Sequence, residues 1–357
     1  MKKHKILISV IFSSIITFCL CAGGFTLFYN YYMKNLSVEV TKVEKEVTVT
    51  DTGIADAVEK VYDSVVVVEN YVNDRLYSTG SGFVFKTDEK NGYILTNHHV
   101  ISDGTDIYVV LANNEKIEAT IIDSDEYSDI GVLSIPVDKV IEVATIGSNE
   151  NNRVGDTVFA IGAPIDSSTY SHTVTRGILS GKERLIEMPS SGYTAGNIME
   201  ALQTDAAINS GNSGGPLCNT NGEVIGINSM KLASDSIEGM GFAIPIEIAL
   251  EYANAFINGE VISRPYLGIG MVDATNIYGS NLGVYVNYVE NDSPAEKAGI
   301  EKGDKIIKIG DVEVSTTAYL KYELYKYDIG ESIKITVLRN NKEITVDVVL
   351  GSKDIKA

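Results

Sequence analysis

From Val65 onward the chain is built of short runs in which β-branched and aromatic residues cluster or alternate with polar ones, punctuated by Gly, Asn and Asp. Val65–Asn70, Ser81–Phe85, Tyr93–Thr96, Ile107–Leu111, Lys116–Ile122 and Ile130–Ile135 predict one set of strands. Thr157–Gly162, Ser171–Ser180, Met199–Thr204, Glu223–Ser229 and Gly241–Ile244 predict a second. Two sets of similar length predict a pair of β-barrels. The period changes at both ends of this region. Gly53–Tyr62 reads as a helical start, and Ile246, Ile248, Ala249, Leu250, Ala253 and Phe256 recur at helical spacing, a helix expected to break at Arg264-Pro265.

A smaller module follows. Ser293–Ile300 reads as a helix, Lys302-Gly303-Asp304 as a turn, Lys305–Ile309 as a strand, residues 316–327 as a second helix, and Ser332–Arg339 with Glu343–Leu350 as a hairpin. The fold class expected is therefore mainly β: a double β-barrel, then a small α+β domain. The expected boundaries are 53–258 and 263–353.

Ahead of these lies a different pattern. A basic tail (1–5, with Lys2, Lys3 and Lys5) precedes an apolar run over 6–28, long enough to cross about 30 Å of hydrocarbon as a helix. The alternative is a cleaved signal peptide, but the run exceeds a usual signal core and no clean A-x-A site follows. A transmembrane anchor is expected, with the bulk of the chain outside the cytoplasm. Phe18 and Leu20 flank Cys21 where lipidation would want small residues. Residues 29–52, polar and charged, read as a tether.

Composition narrows the partners. The net charge of −19 over 357 residues argues against nucleic acid. Of the three cysteines only Cys218 lies beyond the apolar run, so no internal disulfide is available there and a buried apolar role is expected. No metal-ligand cluster stands out, and neither metal nor cofactor is expected.

The candidate chemistry centres on Gly211-Asn212-Ser213-Gly214-Gly215-Pro216-Leu217, a serine flanked by glycines that permit a sharp turn and close approach. A hydroxyl needs a base and a carboxylate to hold it. His99 follows the strand ending near Thr96, with His98 read as a bystander. Asp129 opens the strand Ile130–Ile135, where it can accept from the imidazole and fix its tautomer. Their order, His, Asp, Ser, is that of two-barrel acyl-transfer enzymes. The oxyanion hole is expected from Gly211, Asn212 and Ser213.

Thr96-Asn97-His98-His99-Val100, Ser128-Asp129-Ile130-Gly131-Val132-Leu133, the run Gln203–Leu217 and Gly239-Met240-Gly241-Phe242-Ala243-Ile244-Pro245 together resemble the HtrA/Deg serine proteases, from about residue 53 to the C-terminus. The resemblance implies a chymotrypsin-like double barrel and, for the small module, a PDZ domain. Within that module Tyr266-Leu267-Gly268-Ile269 matches the loop that receives a peptide's C-terminal carboxylate. It implies a substrate pocket of Ala207, Ile208, Asn228, Ser229 and Gly241, without an acid to hold Arg or Lys and therefore suited to small or medium aliphatic residues. It also implies activation loops at Ile186–Asn197 and Met230–Gly239, and a homotrimer or higher oligomer. His172 departs from the family pattern and reads as exposed and noncatalytic. The expected function is a tethered endopeptidase for misfolded or unfolded extracytoplasmic proteins, regulated by C-terminal peptides. The alternatives are a PDZ-dependent chaperone that cleaves rarely and a signalling protease with one dedicated substrate.

Overall fold

The computed structural model describes residues 2–35, 53–162, 172–188, 196–209, 211–229, 239–275 and 281–354. The first element is a single helix, α1 (Lys2–Asn35), containing the apolar span Ser9–Tyr32. At 1.5 Å per residue that span covers about 36 Å, enough for a membrane anchor or a signal sequence. The helix overruns the expected apolar run at 28, so the first part of the expected tether is helical. Tyr29 and Tyr32 stack on Phe25 and Phe28 one turn earlier, which carries the helix past the aliphatic stretch. The rest of the expected tether, 36–52, lies outside the described residues.

The second unit begins with α2 (Ala55–Tyr62), whose Ala57 and Val61 are buried. Two closed six-stranded barrels follow. The first comprises β1 (Val65–Val72), β2 (Arg75–Thr87), β3 (Asn91–Thr96), the one-turn helix α3 (His98–Ile101), β4 (Asp106–Val110), β5 (Lys116–Asp125) and β6 (Ile130–Pro136). The second comprises β7 (Thr157–Gly162), β8 (Thr173–Met188), β9 (Asn197–Thr204), β10 (Pro216–Asn219), β11 (Val224–Asn228) and β12 (Gly241–Pro245). In each, the first three strands pair in series, the third pairs with the sixth, and the fourth closes on the first. The expected pair of barrels is thus present with one connectivity used twice.

Each barrel has its own interior, Val66, Ile94, Leu133 and Ile135 in the first and Val158, Leu179, Leu217 and Ile225 in the second. A larger shared core joins them: Phe83, Leu95 and Ile130 meet Phe159, Ile161, Ile227 and Ile244. Helix α4 (Ile246–Ile257) covers that seam with Ile246, Ala249, Ala253 and Phe256. It stops at Asn258, followed by Gly259 at φ +68°, and not at Arg264-Pro265. Those two residues belong to β13 (Ser263–Tyr266).

The third region contains β14 (Ile269–Thr275), β15 (Asn281–Val289), the short α5 (Pro294–Lys297), β16 (Lys305–Ile309), β17 (Val312–Glu313), α6 (Thr317–Leu324), β18 (Ser332–Arg339), β19 (Lys342–Val349) and β20 (Gly351–Asp354). Its sheet runs β14-β15-β16-β18-β19, so β14 is an edge strand; β13 pairs separately with β20. Val284, Ile306, Leu320, Ile335 and Val348 form its core. Ser293 caps α5 and Thr316 caps α6, each accepting from an N–H in the first turn.

His172 is not exposed as expected. Its ring lies 4.3 Å from that of Tyr62, and Nε2–H donates to the Val65 carbonyl at 3.1 Å. Burial lowers its pKa below the ordinary 6.5, against the opposing pull of the Val65 carbonyl. Of the expected activation loops, Ile186–Met188 ends β8 and Asn197 opens β9, while 189–195 and 230–238 lie outside the described residues.

Candidate active site

Strand β3 ends at Thr96, and Asn97 precedes the turn of helix that carries both histidines. Asp129 sits just before β6 with φ +55°, a left-handed conformation that Asp tolerates better than most residues. Its backbone is held by two donors to one carbonyl: the Asn97 side-chain amide reaches the Asp129 carbonyl at 3.0 Å and the His98 N–H at 3.2 Å. This conformation turns the carboxylate back toward His99.

The fully buried Asp129 carboxylate accepts three hydrogen bonds. His99 Nδ1 lies 2.9 Å from both oxygens, the His99 backbone N–H is 3.1 Å from Oδ1, and Ser229 Oγ donates to Oδ2 at 2.9 Å. A carboxylate only accepts, so Nδ1 carries the proton and a neutral ring leaves Nε2 as its acceptor. His98 points elsewhere, its Nδ1 2.9 Å from Ser124 Oγ.

Ser213 is reached from the same elements. The Gly214 N–H donates to the Asn228 carbonyl at 2.8 Å, next to the Ser229 that holds Asp129. Ser81 on β2 then stitches the serine loop to the first barrel. Its N–H donates to the Ser213 carbonyl at 2.8 Å, its hydroxyl to the Gly211 carbonyl at 2.5 Å, and its own carbonyl accepts from Thr96 Oγ1 at 2.7 Å. Gly211 adopts φ +117°. A Cβ on Gly214 would lie 2.2 Å from the Ser81 carbonyl, and one on Gly215 2.2 Å from that of Ile161. These glycines are required by packing against the two barrels.

Three sequence expectations change. Asn212, grouped with the oxyanion hole, uses its backbone N–H on the Asn209 carbonyl at 3.2 Å. Asn228, expected in the substrate pocket, is fully buried and donates to the Pro216 carbonyl. The Ser229 hydroxyl, expected there too, is on Asp129. Ile208 and Gly241 lie together: a Cβ on Gly241 would sit 2.5 Å from Ile208 Cγ1 and 3.1 Å from the Ala206 carbonyl. Ser81 was missed, although its setting, Gly80-Ser81-Gly82, was visible as a second glycine-flanked serine. Cys218 is fully buried as expected, and burial pushes its thiol well above the ordinary range.

In the third region Leu267 is buried in the core, and Gly268 at φ +78° passes so close to Ser293 that a Cβ would lie 2.2 Å from it. The loop Tyr266–Ile269 therefore turns tightly into the edge strand β14. Helix α6 lies beside β14, fastened by the Thr317 N–H and hydroxyl to Asp273, both at 2.8 Å, and also packs on β9.

Two barrels of one connectivity, a buried Asp129 paired with His99 and a glycine-bounded serine in the seam between them define a chymotrypsin-like serine peptidase, here followed by a peptide-recognition module. Residues 80–227 match the trypsin-like peptidase domain and 265–350 the PDZ domain. The chain is 41% identical over 293 residues to the serine protease Do-like HtrA of Bacillus subtilis (strain 168), covering 78% of this chain and 64% of that protein. It is 36% identical over 350 residues to the protein of the same name from Lactococcus lactis subsp. cremoris (strain MG1363), covering 87% and 86%. The serine endoprotease from Yersinia pestis superposes with a TM-score of 0.64 at 34% identity, covering 85% of this chain and 99% of that one. The HtrA-type protease AlgW with decapeptide superposes at 0.63 with 29% identity, covering 84% and 99%. The chain belongs to the HtrA family of serine proteases.

Proposed function

We propose that Ser213 is the nucleophile, His99 its general base and Asp129 the group that orients His99, in an endopeptidase tethered to the membrane by α1 that cleaves unfolded or misfolded extracytoplasmic polypeptides. The observation that carries this reading is the buried Asp129 carboxylate receiving both His99 Nδ1–H and the Ser229 hydroxyl. With Nδ1 so held, Nε2 takes the Ser213 proton as Oγ attacks the scissile carbonyl. The N–H groups of Gly211 and Ser213 receive the negative charge that develops on its oxygen. His99 then delivers the proton to the leaving amine, and water repeats the sequence on the acyl-enzyme.

Ala207, Ile208 and Gly241 line the pocket for the residue before the cleaved bond. With no acid among them, small or medium aliphatic side chains are preferred. The PDZ domain offers the open edge of β14 beside α6, so an extended peptide adds as a further strand with its terminal carboxylate at Tyr266-Leu267-Gly268-Ile269. Because α6 also packs on β9, peptide occupancy is communicated to the barrel that ends in the pocket. A homotrimer or higher oligomer is the assembly the family resemblance implies.

Casein hydrolysis by the full chain in detergent micelles tests the reading. Hydrolysis abolished by Ser213→Ala supports it. Peptide binding without hydrolysis in the parent would favour a chaperone, and hydrolysis surviving the substitution would remove Ser213 from its role.

A further inference from the structure

Asn212 adjoins Ser213, is 8% exposed, and makes two side-chain hydrogen bonds of opposite sense. Its Oδ1 accepts from the Asn209 N–H at 2.9 Å, and its Nδ2 donates to the Ala207 carbonyl at 2.9 Å. The same carbonyl accepts from Thr175 Oγ1 on β8, also at 2.9 Å. The Asn212 carbonyl accepts from the Gly215 N–H at 3.0 Å, and its Cα rests on Gly162 so closely that a Cβ there would lie 2.2 Å away.

We propose that Asn212 is a positioning residue whose side-chain amide ties the Ala207 carbonyl, in the wall of the substrate pocket, to the loop that carries Ser213. Pocket and nucleophile are thereby set as one unit, without a charged group in the loop. The inference rests on the reading of Ser213 as nucleophile. The amide supplies both senses of hydrogen bond here at neutral pH. An ionised carboxylate of the same shape would still accept from Asn209, but it would oppose its own negative oxygen to the Ala207 carbonyl. A protonated carboxyl would restore the donor.

That difference makes the role testable by a pH profile. Peptide hydrolysis by the full chain in detergent is measured for the parent, Asn212→Asp and Asn212→Ala across about pH 5 to 9. The parent carries an uncharged amide at this position across the whole range, so Asn212 contributes no ionisation to its profile. Asn212→Asp gains an ionisation of its own: the new carboxyl, ionised at neutral pH, recovers the proton it donates to Ala207 only on acidification, so its activity relative to the parent rises toward the acid end of the range. Its kcat at neutral pH falls by about 10-fold or more. Asn212→Ala loses kcat to a similar degree with no such ionisation. A purely structural role would lower amplitude without reshaping the profile. Parental kcat/KM and profile in Asn212→Asp overturn the proposal; if that variant does not fold, parental kcat/KM in Asn212→Ala does. Fluorophosphonate labelling of parent and Ser213→Ala in the same series separates failure of the clamp from failure of the nucleophile assignment.

Discussion

Arg264 of β13 donates two hydrogen bonds, at 3.0 and 2.6 Å, to Asp125 at the end of β5, and both side chains are almost wholly buried. The guanidinium lies 4.5 Å from the Tyr127 ring centroid, and the Tyr325 ring lies 4.9 Å from that of Tyr127. Asp125 also accepts the Ser128 N–H at 2.7 Å, immediately before Asp129. An ion pair on the PDZ side of the molecule thus holds the turn that delivers the Asp129 carboxylate. Burial alone would raise the Asp125 pKa, but Arg264 and the Ser128 N–H hold it below the ordinary carboxylate range.

Removing one partner leaves an uncompensated buried charge. Arg264→Ala is expected to cost about 3–5 kcal/mol, read as a lowered urea midpoint. The double variant Asp125→Asn/Arg264→Met recovers part of that loss because neither charge remains. A single variant as stable as the parent would show that the pair does not hold the turn.

Ser229→Ala removes one of the three donors to Asp129 while leaving His99 in place. A hydrogen bond to a charged acceptor is worth about 1.5–3 kcal/mol, so kcat/KM should fall by about 10-fold or more, with the Ser213 proton still transferred to His99. Unchanged kcat/KM would mean that Ser229 does not support the carboxylate.

His172 predicts a pH dependence of stability. Burial disfavours its charged form, so its folded pKa lies below the ordinary 6.5. Its contribution is complete above that value, where both folded and unfolded states are neutral. As pH falls from there toward the folded pKa, the unfolded chain takes up the proton first and stability is lost. Urea midpoints of the parent and His172→Gln, compared at neutral and mildly acid pH, should differ in slope, the variant being flatter. Equal slopes would contradict the burial argument.

Cys218 should resist alkylation in the folded chain, since it is fully buried and its thiol is pushed up by that burial. Mass spectrometry after iodoacetamide treatment is expected to find it unmodified until denaturant is added. Modification at the rate of a free thiol would place it at the surface.

Much of this was legible in the sequence because short alternating runs and glycine-bounded turns are local signals. Tyr93–Thr96 and Lys305–Ile309 stand as strands near their expected limits, and His99 meets Asp129. Long-range relations were harder to read. Strand β2 begins at Arg75 because its polar first half is zipped to β1 through a two-residue turn at Asn73-Asp74, both at positive φ, and no hydrophobic period marks that half. Strand β10 starts at Pro216 directly after Gly214-Gly215, where the residues alone read as a turn. Arg264 looked like a helix breaker, yet its partner Asp125 lies far away in the chain and on another strand. The family resemblance puts Ser229 in the pocket; which way its hydroxyl turns depends on Asp129, brought there only by closure of the first barrel.

In the proposed mechanism Ser213, activated through His99 and Asp129, carries the reacting oxygen. The most direct measurement is peptide mapping by mass spectrometry after treating the full chain in detergent with a fluorophosphonate. A single phosphonyl adduct on Ser213 is expected, lost in Ser213→Ala and strongly slowed in His99→Ala. An adduct on another residue, or labelling that survives Ser213→Ala, would contradict it.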